Sequence, residues 1–412
     1  MSRFSTLAGR AYAARYGEGR RLKHFTPSHD PAEGLGVLTV FQLIEEAMPA
    51  FFQQGRAIHV ARAPGRLDVF GGLGGARSPL ALALPTAEAA CCAVQARDDE
   101  LVRLWSPCRD GSRTQMLSVR LSDLGLPAAP IGYDEARAFL LADPRDRWAG
   151  YLVGALLVLA RERAATPTCG ADVLLHSDVP VRCGVGSSTA VTVAALRAFA
   201  LLYGVELSAA ELAQLAQAVE RDLLQVDGRV GDSMAAVLAE AGEVLVLRGR
   251  TADVDARVPV PSWFEFVALE TGTESDPVAV APDDPAEHAR VERFRELLQQ
   301  EPSVANRTEL GDLMFASHDA YGAAGLSNAA CDLVVDFVRQ RRAAGAGVLG
   351  ARLSGRGGGG TVLLLGEHGK VWYEALRAKK ALLEATGHSG HIFRWSSPGA
   401  MSFGSIELSP KA

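Results

Sequence analysis

The stretch VPVRCGVGSSTAVTVAALRAFALLYG, Val179–Gly204, decides how the rest of the sequence is interpreted. Gly184 and Gly186 permit close backbone approaches that other residues do not. From Ser187 onward, Ala, Val and Leu recur at helical spacing, which predicts a helix that Gly204 ends. The first N–H groups of a helix lack intrahelical partners and lie at its positive dipole end, so anions bind there readily. The stretch therefore predicts either a polyphosphate site over 184–189 or a serine-capped glycine turn that binds nothing.

Two common nucleotide-binding patterns do not describe this stretch. It lacks the Gly-Lys-Ser/Thr of a Walker loop, and its glycines do not follow the Gly-x-Gly-x-x-Gly spacing of a dinucleotide-binding fold. An oxidoreductase that uses a dinucleotide is therefore a poor interpretation of the sequence.

Two further segments combine glycine with arginine. RAPGRLDVFGG, residues 62–72, places Arg66 after a Pro-Gly turn, where its guanidinium either stabilises phosphate charge or lies on the surface. RLSGRGGGGTVLLL, residues 352–365, contains four consecutive glycines. Four glycines cost more backbone entropy than an ordinary turn requires. This segment therefore indicates a loop that approaches a ligand or moves.

The composition sets broad limits on the class of protein. The chain has 412 residues, 48% of them hydrophobic, and a net charge of −6. This length favours two domains, and the acidic balance argues against a nucleic-acid partner. The apolar stretches are too short to span a bilayer, so we expect no membrane partner. Six cysteines at irregular spacing indicate reduced thiols and a cytoplasmic location rather than a disulfide framework or a zinc site.

The order of predicted elements favours an α+β fold in two layers. AACCAVQA and LVRLWS, residues 89–96 and 101–106, read as neighbouring strands of one antiparallel pair. Ser208 followed by Glu211 is typical of a capping box at a helix start. A change of composition near 251–261 predicts a domain boundary, with one domain over 1–250 and a second over 251–412.

The three glycine-containing segments, taken in order, resemble the motifs of a kinase family. Ala63–Arg66, Pro180–Ala190 and Leu353–Gly360 are similar to the three motifs of the galactokinase, homoserine kinase, mevalonate kinase and phosphomevalonate kinase (GHMP) superfamily. The resemblance is strongest to galactokinase-like sugar kinases, including the kinase domain of L-arabinokinase, through ARAPGRLDVFGG, RWAGYLVGALLVL, YGAAGLSNAACDLVV and FRWSSPGAMSFG. It implies an N-terminal domain of the ribosomal-protein-S5-like type, a C-terminal ferredoxin-like sandwich and ATP in the cleft between them.

The same resemblance assigns roles to individual residues. Asp232 matches the catalytic aspartate and Arg66 its arginine partner, while Glu220 and Ser188 match the magnesium ligands. The predicted ATP contacts are Gly184, Val185, Gly186, Ser187, Ser188, Thr189 and Trp105. The predicted substrate contacts are Arg66, Asp68, Gly72, Gly75, Arg77, Asp232, Gly357 and Gly358. Simpler alternatives remain open for three of these positions: Glu220 as a solvated helix charge, Asp232 as a helix cap and Trp105 as a core residue.

The sequence departs from the family where the acceptor is recognised. The Asp-Tyr pair that follows the first motif in galactokinase-like members is Gly75-Ala76 here, and Ser233 replaces a glutamine after the aspartate. A site that has lost a carboxylate meets a different functional group. Because Arg77 and Arg229 add positive charge, we expect an anionic acceptor such as a sugar phosphate, a uronate or a phosphorylated cyclitol, unless both arginines point into solvent.

These expectations define one main function and one alternative. The main function is an ATP- and magnesium-dependent phosphotransferase that acts on a hydroxyl of a sugar or sugar-like polyol. The resemblance implies that this is the anomeric hydroxyl and that the product is a 1-phosphate. The alternative is a non-catalytic nucleotide- or sugar-binding regulator on the same fold. The sequence is compatible with either a monomer or a homodimer.

Overall fold

The computed structural model describes residues 22–28, 36–73, 78, 80–108, 110–226, 229–249, 253–275 and 284–411. Its strands are β1 (Phe25–Pro27), β2 (Ile58–Phe70), β3 (Leu80–Ala96), β4 (Leu101–Trp105), β5 (Met116–Arg120), β6 (Ala171–Ser177), β7 (Glu243–Arg248), β8 (Asp253–Pro259), β9 (Phe264–Glu270), β10 (Val348–Leu353), β11 (Thr361–Glu367), β12 (Ile392–Phe393) and β13 (Ser405–Pro410).

Helices connect most of these strands. They are α1 (Val37–Glu46), α2 (Tyr133–Leu140), α3 (Arg147–Arg163), α4 (Ser187–Leu202), α5 (Ala209–Gln217), α6 (Val230–Leu238), α7 (Pro285–Leu298), α8 (Val304–Ala323), α9 (Ala329–Ala343), α10 (Lys370–Thr386) and α11 (Ala400–Phe403). A π-helical segment, Ala218–Leu223, continues from the end of α5. The predicted capping box at the start of α5 is present, with Ser208 and Glu211 bonded reciprocally. No described helix is both long and apolar enough to cross a bilayer.

The larger sheet provides the base on which the glycine-containing segments sit. Its strands follow the order β1-β13-β2-β3-β6-β4-β5, with β7 paired to β3 and β8 paired to β7. The second half of β3 pairs with β6, and its first residues pair with β7. The chain leaves the end of β6, passes through residues 178–186 and enters α4, which packs across β2 and β3. This path places the loop before α4 next to β2.

The prediction that β3 and β4 form one antiparallel pair is wrong. β6 lies between them, antiparallel to β3 and parallel to β4. Backbone hydrogen bonds tie Gly170, just before β6, to Arg97 and Asp99 in the short β3–β4 connection. The mostly buried, apolar β6 gains more from a central position, where both its faces are covered, than from an edge.

Apolar packing covers both faces of the larger sheet. On one face, fully buried side chains of α3 and α4, such as Leu156 and Phe199, join those of the strands. On the other face, α1 contributes Val40 and Ile44 to a separate cluster that includes Leu174 of β6. Each such side chain stabilises the fold by about 1.5–3 kcal/mol when it is removed from water. The start of α4 is therefore carried by a rigid support.

The smaller sheet follows the order β10-β11-β9-β12 and is antiparallel. α9 and α10 pack on it through a second apolar cluster that contains Val334, Val338 and Leu382. The predicted division of the chain at residue 250 stays a prediction. Pairing in the larger sheet crosses that point, because β8 and the C-terminal β13 both belong to it.

Candidate active site

The loop before α4 presents backbone N–H groups at the helix start. Gly184 and Gly186 have φ angles of 78° and 76°, in the left-handed region that favours glycine. Gly186 occupies the N-cap position of α4, and no side chain in the described part of the protein caps this helix. The serine-capped alternative therefore does not apply. The carbonyl oxygen of Val185 accepts a hydrogen bond from the Arg66 backbone N–H at 2.8 Å, which joins the loop to β2.

Glu220 lies beneath the first turn of α4 and not in solvent. The π-helical segment directs its side chain inward, where the residue is 1% exposed. Its two carboxylate oxygens accept from the Thr189 hydroxyl at 3.1 and 3.0 Å, and the Ser188 side chain also hydrogen-bonds to it. Burial raises the pKa of Glu220 to about 7, and the negative charge of Asp232 adds to this rise. A buried carboxylate beside two hydroxyls is a set of hard oxygen donors that suits a divalent cation.

Asp232 and Arg66 form a buried ion pair. The Arg66 Nε donates to Asp232 Oδ1 at 2.8 Å, and its Nη1 donates to the carbonyl oxygen of Gly184 at 3.1 Å. Asp232 is inside the first turn of α6, which begins at Val230, so it does not cap that helix from outside. Burial alone would raise the pKa of Asp232, but Arg229, Arg66 and Arg356 outweigh it and hold that pKa below its ordinary value. The carboxylate stays ionised over the physiological range.

Arg229 lies between two carboxylates and is not in solvent. Its side chain is 14% exposed, and Nη2 is 3.6 Å from Asp232 Oδ1 and 3.8 Å from Asp68 Oδ2. Both distances exceed a hydrogen bond. The buried Nε has no hydrogen-bond partner among the described residues. Gly75 and Arg77, two more of the residues predicted to contact the acceptor, lie outside the described residues.

A buried arginine that the sequence analysis missed holds Asp68. Arg352 is fully buried, and its Nη1 donates to the carbonyl oxygen of Val69 at 2.6 Å and approaches Asp68 Oδ1 at 3.4 Å. Its Nη2 donates to the Tyr321 hydroxyl at 3.0 Å, and that hydroxyl donates to the carbonyl oxygen of Gly355. The network therefore links α8, the start of the glycine-rich loop and the end of β2.

The glycine-rich loop packs on the other two motifs. A Cβ on Gly72 would lie 2.1 Å from the carbonyl oxygen of Gly355, and a Cβ on Gly360 would lie 2.5 Å from that of Cys183. The Thr361 hydroxyl also donates to the Cys183 carbonyl oxygen at 2.8 Å. Gly360, the last of the four successive glycines, thus serves close backbone approach between protein segments. This is a structural reason for its presence that needs no ligand.

Gly357 and Gly358, two predicted substrate contacts, touch the protein itself. A Cβ on Gly357 would lie 2.7 Å from Leu326, and the Gly358 N–H donates to the Leu326 carbonyl oxygen at 2.8 Å. Trp105, a predicted ATP contact, packs on Phe51 with ring centroids 5.6 Å apart, in the cluster that α1 completes. The core alternative therefore describes the observed environment of Trp105, and its contact with ATP stays a prediction.

The structure thus brings most of the predicted residues together. Arg66, Asp232, Gly184, Thr189 and Glu220 are joined by direct contacts or by electrostatic interaction. Ser187 begins α4 beside Ser188 at the same helix start. Two further arginines, Arg352 and Arg356, belong to this region and were missed. An arginine placed inside a run of glycines was the available signal for Arg356.

Among the described residues, no group of three or more His, Cys, Asp or Glu side chains could hold a metal ion. A cation at Glu220 would therefore need oxygen ligands from another source, such as hydroxyl groups, water or a bound phosphate. The site has one carboxylate for a cation and a second, Asp232, that is held by arginine. These two acids have distinct surroundings and so suit distinct roles.

Comparisons with known proteins show which proteins this chain is similar to. Residues 150–240 match the family described as GHMP kinases N terminal domain. The chain is 25% identical to L-arabinokinase of Arabidopsis thaliana, over 92% of this chain and 49% of that protein. It is 30% identical to galactokinase of Chloroflexus aurantiacus, over 52% of this chain and 49% of that protein. The chain thus spans about half the length of these curated relatives.

A solved structure shares the fold. Galactokinase of Lactococcus lactis, crystallised with galactose, superposes with a TM-score of 0.67 at 18% identity, covering 87% of this chain and 99% of that chain. The α+β prediction and the relationship to the GHMP kinases are both confirmed.

Proposed function

We propose that this chain, a relative of the GHMP kinases with the fold of galactokinase, transfers the γ-phosphoryl group of ATP to a hydroxyl of a sugar or sugar-like polyol. One observation carries the proposal. An ionised, arginine-held carboxylate, Asp232, is connected through Arg66 to a loop that leads into an uncapped helix start. Phosphoryl transfer needs this combination, because catalysis depends on positioning and on stabilising phosphate charge.

The triphosphate binds at residues 184–189 in this proposal. Gly184 and Gly186 keep the backbone free of side chains, and the first N–H groups of α4 point toward the ligand. Arg66 reaches the same loop through its bond to the Gly184 carbonyl oxygen. Its guanidinium can therefore stabilise the negative charge of the transferring group while it still holds Asp232.

Glu220 and Ser188 would hold magnesium. Supporting this, Glu220 is a buried carboxylate whose pKa is raised by its burial, and it lies next to the Ser188 and Thr189 hydroxyls. Magnesium is typically bound by one or two carboxylates together with substrate phosphates and water. When bound, it would neutralise charge on the phosphate oxygens.

Asp232 orients the acceptor hydroxyl. The arginines around it keep its pKa low, so it is a weak base in the ground state and a strong hydrogen-bond acceptor. The hydroxyl donates to Asp232, which aims an oxygen lone pair at the phosphorus atom. In a loose transition state the hydroxyl proton leaves late, so a weak base is sufficient.

The acceptor is a sugar or a sugar-like polyol, phosphorylated at its anomeric hydroxyl to give a 1-phosphate. The names of the curated relatives, galactokinase and L-arabinokinase, support a sugar. The partly satisfied Arg229 beside Asp68 and Asp232 supports an acceptor that carries negative charge.

An acceptor screen tests this function. ADP release is measured with ATP, magnesium and a panel of neutral sugars, uronates, sugar phosphates and cyclitols, for the wild type and for Asp232→Asn. We expect turnover with at least one acceptor and a fall in kcat of at least about 100-fold in the variant, with little change in nucleotide affinity. Asp222→Asn, at an exposed pair with Arg221, is the matched control. Nucleotide binding without ADP release from any acceptor would instead indicate a non-catalytic regulator.

A further inference from the structure

Several arginines lie near the two carboxylates on the acceptor side of the site. Asp68 and Asp232 are surrounded by four arginines in the described part of the chain: Arg66, Arg229, Arg352 and Arg356. Arg66 and Arg352 have their hydrogen bonds largely satisfied, by Asp232 and Gly184 in one case and by Val69, Tyr321 and Ser317 in the other. Arg229 differs from these two, because its buried Nε has no hydrogen-bond partner among the described residues.

Arg356 belongs to the glycine-rich loop. It is half-buried between Gly355 and Gly357, whose φ angles are 86° and 98°. A Cβ on Gly72, on the acceptor side, would lie 2.1 Å from the Gly355 carbonyl oxygen. A Cβ on Gly355 would lie 3.3 Å from the Gly184 carbonyl oxygen, on the phosphate side. The backbone of Arg356 therefore lies between the acceptor side and the phosphate side of the site. Its positive charge contributes to lowering the pKa of Asp232.

Arg229 approaches the same carboxylate from the start of α6. Its Nη2 makes two long contacts, at 3.6 and 3.8 Å, and its buried Nε lacks a partner among the described residues. A buried guanidinium N–H without an acceptor is costly, so an arginine in this state is suited to donate a hydrogen bond to an acceptor atom of a ligand. Planar guanidinium groups match carboxylate and phosphate oxygens in particular.

We propose that Arg229 and Arg356 together bind a carboxylate or phosphate group of the acceptor, so that the enzyme prefers anionic over neutral acceptors. This inference rests on the proposed function and names the residues that select the substrate. We assign the group to the acceptor, because Arg229 lies 3.6 Å from Asp232, the residue proposed to orient the acceptor hydroxyl, and the charge of Arg356 also lowers the pKa of Asp232. The triphosphate has its own donors at the start of α4 and at Arg66.

Matched acceptor pairs test the inference. Steady-state rates are measured for a neutral sugar, its uronate and its 6-phosphate, with the wild type, Arg356→Ala, Arg356→Lys and Arg229→Gln. Loss of a charge-assisted hydrogen bond costs roughly 10- to 100-fold in recognition. We expect Arg356→Ala and Arg229→Gln to lower the ratio of kcat/KM for anionic over neutral acceptors by that factor, and Arg356→Lys to lower it less. The KM for ATP should change less than threefold.

A binding measurement separates this from a general loss of activity. The uronate and the 6-phosphate are each titrated by calorimetry into Asp232→Asn and into the double variant Asp232→Asn, Arg356→Ala. The double variant should bind more weakly, and the two affinities of Asp232→Asn identify which anion is preferred. Arg120→Ala, at an exposed pair with Glu100, is the control and should change neither ratio nor affinity.

Three results would overturn the inference while leaving the kinase proposal intact. They are a wild type that prefers neutral acceptors, an equal loss of both acceptor types in the variants, and a large rise in the KM for ATP. The last would assign both arginines to the nucleotide. Absence of ADP release with every acceptor would instead defeat the proposed function itself.

Discussion

Replacing Glu220 by glutamine should stabilise the ligand-free protein while it removes activity. Glu220 is 1% exposed, and the folded protein raises its pKa from the ordinary 4.5 to about 7, chiefly because burial disfavours the charge. The unfolded chain loses this proton near pH 4.5, whereas the folded chain keeps it until about pH 7. Wild-type stability therefore falls as pH rises through this window, and it is lowest above pH 7.

The size of the effect follows from the two pKa values. A pKa difference of one corresponds to about 1.4 kcal/mol, so Glu220 costs the fold roughly 3 kcal/mol at pH 8 and under about 1 kcal/mol at pH 5. Glutamine carries no charge and can still hydrogen-bond to the Thr189 hydroxyl. Glu220→Gln should therefore be more stable than the wild type by about 3 kcal/mol at pH 8, and nearly equal to it at pH 5.

The assay is denaturant-induced unfolding of both proteins at pH 5 and pH 8, without nucleotide or magnesium. Glu287→Gln is the matched control, because Glu287 is also fully buried but is paired with Arg290 and with the Ser317 hydroxyl. Its loss should destabilise the protein at both pH values. The reasoning would be refuted if Glu220→Gln were less stable than the wild type at pH 8. It would also be refuted if the difference in unfolding free energy between the two proteins were the same at pH 5 and pH 8.

Three further outcomes are expected. Arg66→Lys keeps the charge but loses the fixed fork that holds the Asp232 carboxylate, so kcat should fall about 100-fold or more with little change in stability; an unchanged kcat would contradict the proposed role of Arg66. Gly360→Ala places a Cβ 2.5 Å from the carbonyl oxygen of Cys183 at a φ of 99°, and thermal unfolding should reveal a loss of at least about 2 kcal/mol. Gly387→Ala, at a φ of 76° with nothing within 4 Å, should lose less, and equal losses would mean that the close approach does not matter. Arg352→Met leaves Asp68 buried without its partner and should cost about 3–5 kcal/mol in denaturant unfolding, partly recovered by adding Asp68→Asn; no recovery would show that the ion pair is not the cause.

Local patterns were sufficient for part of the fold. The helix after Gly186 was predictable from its apolar spacing, and the capping box at Ser208 from two residue types three positions apart. These features depend on neighbours within one or two helical turns. The separation of β3 from β4 in the sheet could not be predicted in this way, because the strand between them, β6, enters from more than sixty residues away in the chain.

The candidate site shows the same division. Residue types and motif order indicated Arg66, Asp232 and Glu220, but nothing local told whether Glu220 was solvated or buried. The π-helical segment that turns it inward is a departure from regular helical spacing. Likewise, the run of glycines suggested a ligand loop, whereas in the structure Gly360 packs against the carbonyl oxygen of Cys183.

The sequence by itself determined the motifs from which the proposed chemistry follows: a glycine-containing loop before a helix, an arginine after a Pro-Gly turn, and the acids Glu220 and Asp232. Only the tertiary structure decided which charges meet. Arg66 and Asp232 are 166 positions apart, and Asp68 and Arg352 are 284 apart. The physical reason is that pKa values and ion-pair strengths depend on burial and on distances of a few ångströms, and these arise only when remote segments pack together.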